Sequence, residues 1–228
     1  MKDNLVLIPS QRALICSQAK YRHVIGGIGS GMSTGIMYLT ALVAQAFMNN
    51  RIFIGRTTWP VLRDTSLFDF KNMLATLGIT YEYNLSKQTI KLGNGTVIMF
   101  RYLNDFAMHK ELELGMFVIE SLDEIPVEIY NHLRTRLNKT HLVPSRDFYF
   151  SDLLRIFGKS WERMSITSSP GKPPKWIRDI WQNPTKPLYE SIRFNRDGMD
   201  EHLPSDFVES LDELNPKLQA KFVDAVWE

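Results

Sequence analysis

The sequence predicts an α/β fold: a mostly parallel sheet flanked by helices, with an inserted β-hairpin and a small C-terminal helical tail. Arg22–Ile25 is a short apolar-ended strand candidate that leads into a glycine-rich turn and then a long amphipathic helix. This strand–loop–helix order is typical of a parallel sheet. An Asn94-Gly95 turn between two extended segments indicates the hairpin. The apolar strand Gly115–Glu120, which ends in an acid, supplies a third observation.

The composition indicates a soluble globular protein of one large domain. The chain has 228 residues, of which 44% are hydrophobic, so it can bury a core without disulfides. Its net charge of +2 does not by itself indicate a nucleic-acid-binding protein. The single cysteine, Cys16, excludes an internal disulfide and suits a reducing cytoplasm, and no zinc-ligand spacing is present. No secretion signal is predicted, and the apolar segment Gly35–Met48 is too short to span a bilayer.

The remaining elements follow from apolar periodicity and from turn residues. Met32–Asn49 is predicted as a helix with one apolar face. The other predicted elements are a strand at Arg51–Gly55, a helix from Pro60 to Leu77, hairpin strands at Thr89–Leu92 and Thr96–Arg101, a helix from Pro126 to about Leu137, a strand at Arg163–Thr167, a helix at Lys175–Trp181, an extended segment at Leu188–Phe194, and helices at Pro204–Leu211 and Pro216–Val226. The stretch 138–159 is predicted to be irregular. A proline-rich connector, Lys172–Pro187, divides the chain into a core domain, 1–185, and a small C-terminal piece, 186–228.

A glycine-rich segment matches a phosphate-binding loop at all but one position. It consists of Gly26, Gly27, Ile28, Gly29, Ser30, Gly31, Met32, Ser33 and Thr34. In the pattern G-x-x-x-x-G-K-[ST], Met32 stands where the lysine belongs, and Ser33 is the predicted Mg²⁺ ligand. The loop therefore predicts a P-loop NTPase-type fold with a site for ATP and Mg²⁺, with a plain tight turn as the alternative, and Met32 leaves it open whether the nucleotide is still bound tightly. Losing one charge-assisted phosphate contact costs about 1.5–3 kcal/mol, or about 10- to 150-fold in affinity.

An acidic segment begins at the end of the strand candidate Gly115–Glu120. The apolar run Phe117–Ile119 delivers Glu120 to the carboxyl end of a strand, where nucleotides bind in open parallel sheets. Glu120 is therefore the predicted magnesium-side acid and a catalytic candidate. Ser121 stands where a catalytic glutamate commonly follows. Asp123 and Glu124 either orient water or cap the helix after Pro126, and the sequence leaves both alternatives open.

Two further sets of residues are site candidates. Thr167, Ser168 and Ser169 end a strand in small polar residues, which suits either γ-phosphate sensing or a plain turn. Arg22 and Arg56 lie close to the loop or to a strand end, so either is a candidate to replace the missing lysine charge. The other basic residues have solvent-facing positions or DNA contacts as alternatives: Arg51, Arg63, Arg134, Arg136 and Lys139.

With these residues in place, the chain resembles the ATPase domain of bacteriophage large terminases, the motors that package DNA into procapsids. The resembling segments, in order, are LIPSQRALICSQAKYRHVIGGIGSG, GRTTWPVLRDT, LGNGTVIMFRYL, LGMFVIESLDEIPVEIYNHLRTRL, SITSSPGKPPKW and HLPSDFVESLDELNPKLQAKFVDAVWE. The resemblance implies that Gln11 contacts adenine, that Ser33 and Glu120 hold Mg²⁺, and that Thr167–Ser169 couple hydrolysis to movement. It also implies double-stranded DNA, a portal-bearing procapsid, a small terminase subunit and neighbouring copies in a ring as partners, in the host cytoplasm and without a membrane.

The sequence departs from the family pattern around the nucleotide site. The departures are Ile28 for a frequent arginine, Met32 for lysine, Ser121 for an acid or amide, Ser169 for asparagine, and Ala225 for glycine. Three functions follow: a packaging ATPase, a non-hydrolysing relative with an assembly or regulatory role, and an unrelated DNA-binding α/β protein. Family members continue into a nuclease domain, which we do not expect here, so DNA cleavage is not predicted.

Overall fold

The computed structural model describes residues 7–103, 112–139, 142–145, 161–170, 173–182, 187–196, 199–216 and 218–219. Its helices are α1 (Pro9–Cys16), α2 (Met32–Ala46), α3 (Trp59–Leu62), α4 (Phe68–Thr76), α5 (Val127–Thr135), α6 (Lys175–Trp181) and α7 (Ser205–Asp212). Its strands are β1 (Tyr21–Gly26), β2 (Phe47–Met48), β3 (Arg51–Arg56), β4 (Tyr81–Asn84), β5 (Thr89–Leu92), β6 (Val97–Tyr102), β7 (Met116–Ile119), β8 (Val143–Pro144), β9 (Met164–Ser169) and β10 (Tyr189–Phe194).

One large sheet organises the molecule, with the strand order β10-β1-β9-β7-β3-β6-β5-β4. The strands from β10 to β6 pair in parallel, whereas β5 and β4 pair antiparallel at the edge. Although α2 leads from β1 towards β3, strands β9 and β7 lie between them. The carboxyl ends of β1, β9, β7 and β3 therefore meet at one edge of the sheet. The predicted α/β fold with a mostly parallel sheet is confirmed.

Both faces of the sheet are covered by apolar side chains. Because side chains alternate along a strand, Ile52 and Ile54 of β3 join one buried cluster and Phe53 joins the other. The first cluster includes residues of α1, α2 and α4, and the second includes residues of α5 and α6. Burying one such side chain contributes about 1.5–3 kcal/mol. These two layers hold the strand ends, and the loops that follow them, at fixed positions.

The hairpin was correctly predicted, but the prediction missed two elements near it. Gly95 has a φ of 85°, which glycine adopts without strain, and Asn94 donates from Nδ2 to the Ala44 carbonyl at 2.8 Å. The prediction missed β4, which pairs with β5 and makes a third strand of this unit. It also missed a π-helical turn, Arg63–Leu67, between α3 and α4 within the helix predicted from Pro60.

The predicted division of the chain needs a correction at its C-terminal side. Strand β10 falls within the piece predicted as 186–228, yet it pairs along its whole length with β1. It is therefore part of the main sheet, because its backbone hydrogen bonds are made there. Helix α7 agrees with the predicted helix Pro204–Leu211. Most of the predicted helix Pro216–Val226 and of the irregular stretch 138–159 lies outside the described residues. Among the helices in the described ranges, none is long and apolar enough to cross a membrane.

Candidate nucleotide-binding site

The glycine-rich loop joins the end of β1 to the start of α2. Gly29 and Gly31 have φ values of 76° and 72°, in the left-handed region that glycine tolerates best. Gly31 precedes the first residue of α2, and its carbonyl accepts the Gly35 N–H at 3.0 Å. The Ser30 hydroxyl donates to the Gly27 carbonyl at 2.8 Å and closes the turn. The loop thus directs the N-terminal end of a 15-residue helix towards its concave side, where an anion is favoured.

Gln11 of α1 supports this loop through a side-chain hydrogen bond to its backbone. Its side chain is buried, and its Nε2 donates to the Gly31 carbonyl at 3.0 Å. Its Oε1 accepts the Ile8 backbone N–H at 3.2 Å. Gln11 therefore lies beside the loop, as expected from the sequence, but both ends of its amide are engaged with the backbone. Contact with adenine stays a prediction.

The cleft over the loop has a volume of about 380 Å³. Its lining residues are Gly26, Gly27, Ile28, Gly29, Ser30, Gly31, Met32, Ser33, Thr34, Pro170, Met199 and Leu203. Of these described residues none is Lys or Arg. Met32 is half-buried and packs against the larger core cluster, so the lysine position is occupied by an apolar contact. Side chains from the segment before α7 cover the loop, because a Cβ added to Gly31 would lie 2.9 Å from the Met199 sulfur.

Glu120 lies directly after β7, at the edge of the sheet where the loop also lies. It is 5% exposed and accepts a hydrogen bond from the Ser66 hydroxyl on its Oε2. The Ser33 hydroxyl faces the same carboxyl group closely enough to lower its pKa. Burial raises the pKa of Glu120 above its usual value, and Asp69 adds to this, while the two hydroxyls and Arg56 act in the opposite direction. The predicted pair of Ser33 and Glu120 thus lies on the same side of the site.

Arg56 occupies the acidic side of the site and not the glycine loop. It ends β3, and its guanidinium donates from Nη2 to the Ser121 hydroxyl at 2.7 Å and from Nη1 to Thr65 Oγ1 at 3.1 Å. Ser121 has a φ of 54°, a conformation that costs a non-glycine residue about 1–3 kcal/mol. Arg56 therefore secures a strained turn next to Glu120, and its charge lies close to that acid.

Asp123 and Glu124, for which the sequence left water orientation and helix capping open, lie in a short 3₁₀ turn after Ser121. Burial raises the pKa of Asp123, and Glu124 raises it further, while its own backbone N–H and the Ser169 hydroxyl lower it. Glu124 is exposed and accepts a hydrogen bond from Thr57 at 3.0 Å. Asp123 is therefore the acid directed towards the end of β9, and Glu124 is held on the outer side.

The predicted coupling residues divide between two environments. Strand β9 continues to Ser169, two residues beyond the predicted end. Thr167 is consequently inside the sheet, where its Oγ1 lies 2.8 Å from Nδ1 of His23. Burial lowers the pKa of His23 to about 3. Of the three, only Ser169 ends the strand beside Asp123, because the strand is longer than its apolar pattern indicated.

The structure contradicts the assignment of Arg22 as a nucleotide-binding residue. Arg22 is the second residue of β1, at the opposite end of the strand from the loop, and it is fully buried. Its guanidinium donates to three backbone carbonyls at 2.9–3.1 Å, those of Leu14, Ser17 and Ala19. Burial lowers its pKa to about 10. Arg22 fixes the connection between α1 and β1 and does not replace the lysine.

Sequence reasoning missed Thr65, Ser66 and Asp69, which contact or face the acidic site from the helix after β3. One signal was available for Ser66. It lies four residues after Leu62 and four before Phe70, both buried, so the helical pattern places a polar side chain at a core position. A buried hydroxyl at such a position indicates a specific partner. No comparable pattern identified Asp69.

Solved structures supply the comparison with known proteins. A large terminase from a thermophilic bacteriophage has a TM-score of 0.76 at 12% identity and covers 96% of this chain. The ATPase domain of the Thermus phage P74-26 large terminase has a TM-score of 0.62 at 11% identity, over 98% of this chain and 94% of that domain. This chain has the fold of a large terminase ATPase domain. The predicted resemblance is confirmed at the level of the fold.

The same comparison sets the extent of the similarity. The chain spans 53% of the thermophilic bacteriophage's terminase and 44% of the bacteriophage HK97 large terminase, which has a TM-score of 0.54 at 12% identity. Structures of the thermophilic bacteriophage's terminase include complexes with ADP and with ATP-γ-S, at TM-scores of 0.74 and 0.72. No protein-family model and no curated protein sequence matches the chain.

Proposed function

We propose that this chain is the ATPase domain of a viral DNA-packaging motor that couples ATP binding and hydrolysis to translocation of double-stranded DNA. The observation that carries the proposal is the placement of Ser33, at the start of α2, beside Glu120, directly after β7, where the Ser33 hydroxyl lowers the pKa of the Glu120 carboxyl. It joins the phosphate loop and the acid at one place. A hydroxyl and a carboxylate are the hard oxygen ligands that Mg²⁺ takes beside nucleotide phosphates, so these residues fit the ion.

The other site residues receive roles from their positions. Backbone N–H groups of Gly26–Thr34 would hold the phosphates, with Gln11 bracing the loop. Asp123 would orient the attacking water, because it is the half-buried acid nearest Ser169. Ser169, with Ser168 and Thr167 behind it in β9, would pass movement from the site to the sheet. When bound, Mg²⁺ would neutralise phosphate charge that the absent lysine does not.

The partners are part of the same proposal. We propose double-stranded DNA, a portal-bearing procapsid and a small terminase subunit as partners, with several copies of the chain in a ring in the host cytoplasm. The ADP and ATP-γ-S complexes of the thermophilic bacteriophage's terminase support ATP as the ligand.

A second candidate is a non-hydrolysing relative that binds nucleotide weakly and serves assembly or regulation. The lining of the cleft favours it, because Ile28 and Met32 stand at the two basic positions and Met199 and Leu203 add further apolar surface. A site of this kind keeps the backbone donors but has no side-chain cation over the described loop. Turnover, and not binding, separates the two candidates.

The test is DNA-stimulated ATP turnover in the presence of Mg²⁺. We expect turnover by the wild-type chain that is lost in Glu120→Gln and kept in Glu82→Gln, a matched change at an exposed position of β4. Background turnover by the wild type, restored by Met32→Lys, would favour the non-hydrolysing candidate. Turnover that is unchanged in Glu120→Gln would contradict the site.

A further inference from the structure

The π-helical turn Arg63–Leu67 contributes two consecutive hydroxyls to the acidic side of the site. Thr65 accepts the Arg56 guanidinium at 3.1 Å and donates to the Val61 carbonyl at 2.7 Å. Ser66 donates to Oε2 of Glu120. Single π-helical turns inside α-helices are rare and occur frequently at functional sites. The turn therefore links α3 and α4 to the ends of β3 and β7.

Ser66 occupies a core position, where a hydroxyl is stable only if it has a hydrogen-bond partner. It is fully buried, on the helical stripe that carries Leu62 and Phe70 into the core. Burying a hydroxyl without a hydrogen bond costs about 1–3 kcal/mol in proteins. The bond to the Glu120 carboxylate removes that cost, and a hydrogen bond to an ionised group is stronger than one between neutral groups.

The two hydroxyls on Glu120 are not equivalent. Ser33 belongs to the phosphate loop and would itself be a ligand of Mg²⁺, so it would not be available to orient Glu120 when the ion is bound. Ser66 comes from a different element, and its hydrogen bond to Oε2 would leave the other carboxyl oxygen of Glu120 for the ion. We propose that Ser66 is a positioning residue, which holds the Glu120 carboxylate in the orientation that binds a divalent cation. The inference rests on the proposed function of the same site.

A hydrogen bond that orients a metal ligand has a measurable effect on the affinity for the metal ion. Removing a group that orients a metal ligand typically weakens metal affinity by about 10- to 100-fold. The effect is specific to the cation, since Ser66 does not line the cleft over the glycine loop. Binding of nucleotide without metal is therefore expected to stay unchanged when Ser66 is altered.

The experiment titrates Mn²⁺ into the whole chain in the presence of ADP, with free Mn²⁺ measured by electron paramagnetic resonance. Ser66→Ala is expected to weaken Mn²⁺ binding by about 10- to 100-fold, whereas Ser66→Thr, which keeps the hydroxyl, restores most of it. Thr76→Ala is the matched control: it removes a hydroxyl of α4 that bonds only its own helix, at the Asn72 carbonyl. ADP binding without metal and thermal unfolding are measured for each variant.

The outcomes separate the inference from the proposed function. Wild-type Mn²⁺ affinity in Ser66→Ala would overturn the role of Ser66 alone. Equal losses of Mn²⁺ binding and of metal-free ADP binding would also overturn it, because they indicate a general structural effect. If the wild type itself binds no Mn²⁺ with ADP, the proposed function fails, and the role of Ser66 fails with it. If Ser66→Thr does not fold, Ser66→Cys replaces it. Cysteine keeps a weak donor, so the Mn²⁺ affinity of this variant is expected to lie between those of the wild type and Ser66→Ala.

Discussion

The glycine loop and the acidic edge are the two halves of the proposed nucleotide site, and they differ in the groups that they present. In the loop half, the backbone conformation is complete, with Gly29 and Gly31 at positive φ, but the described lining has no basic side chain. In the acidic half, the side chains are engaged: Glu120 bonds to Ser66, and Arg56 bonds to Ser121 and Thr65. The positive charge of Arg56 therefore lies beside Glu120 and not in the lining of the cleft over the glycine loop.

This difference separates two kinds of phosphate recognition. Backbone N–H groups and a helix N-terminus recognise an anion through the fold, so they persist when side chains change. A lysine contributes a charge that one substitution removes. A loop of this kind is expected to depend on Mg²⁺ for its positive charge, more than a loop with lysine does. The following variants test this difference between the two halves.

Restoring the charge in the loop half is expected to have the largest effect. Met32→Lys should increase ATP affinity by about 10- to 150-fold, the equivalent of one charge-assisted phosphate contact. Leu85→Lys adds the same charge at a position that is 73% exposed, and it should leave affinity unchanged. Calorimetric titration measures both. Equal affinities for Met32→Lys and wild type would show that the loop is not a phosphate site.

A substitution that disturbs the backbone of the loop is expected to have the second-largest effect, here on the free energy of unfolding. In Gly31→Ala, the residue keeps a φ of 72°, and its Cβ lies 2.9 Å from the Met199 sulfur, so we expect a loss of about 1–3 kcal/mol in the free energy of unfolding. Gly93→Ala is the control, because no atom lies within 4 Å of the added Cβ; it should change stability by less than about 0.5 kcal/mol. Urea denaturation compares them, and similar losses would argue against a strained loop.

Two buried titratable groups, His23 in β1 and Glu120 in the acidic half, predict opposite pH responses. The folded pKa of His23, about 3, is below its unfolded value of 6.5, so the unfolded chain binds more protons between them. Stability should fall as pH falls through this window, by at most about 1.4 kcal/mol per pH unit. The raised pKa of Glu120 has the opposite sign: its contribution falls as pH rises above 4.5. His23→Gln should flatten the acid slope, and His202→Gln, at an exposed position, should not.

Local signals in the sequence predicted the strand–loop–helix order around the glycines, and Gly26–Met32 joins β1 to α2 in that order. Its role in binding phosphate stays a prediction. Glu120 was readable as the end of an apolar strand. Ser66 and Thr65 were not assigned, since their contacts depend on the π-helical turn and on the neighbouring positions of β3 and β7. Arg22 was misassigned because closeness along the chain does not show to which end of a strand a side chain belongs.

The same limits applied to the sheet. Strand β10 was predicted as extended, but its place beside β1 depends on pairing between distant segments, which no local pattern carries. Likewise, Ser168 and Ser169 are weak strand formers, and they lie in β9 because neighbouring strands pair with them.

In the proposed function, the glycine loop and Glu120 form one site for a magnesium nucleotide. Titration of ADP into the wild-type chain and into Glu120→Gln, each with and without Mg²⁺, tests this claim. We predict that Mg²⁺ increases the affinity of the wild type and that this increase disappears in Glu120→Gln, while metal-free binding stays the same. An equal increase in both chains, or no ADP binding by the wild type under either condition, would contradict the claim.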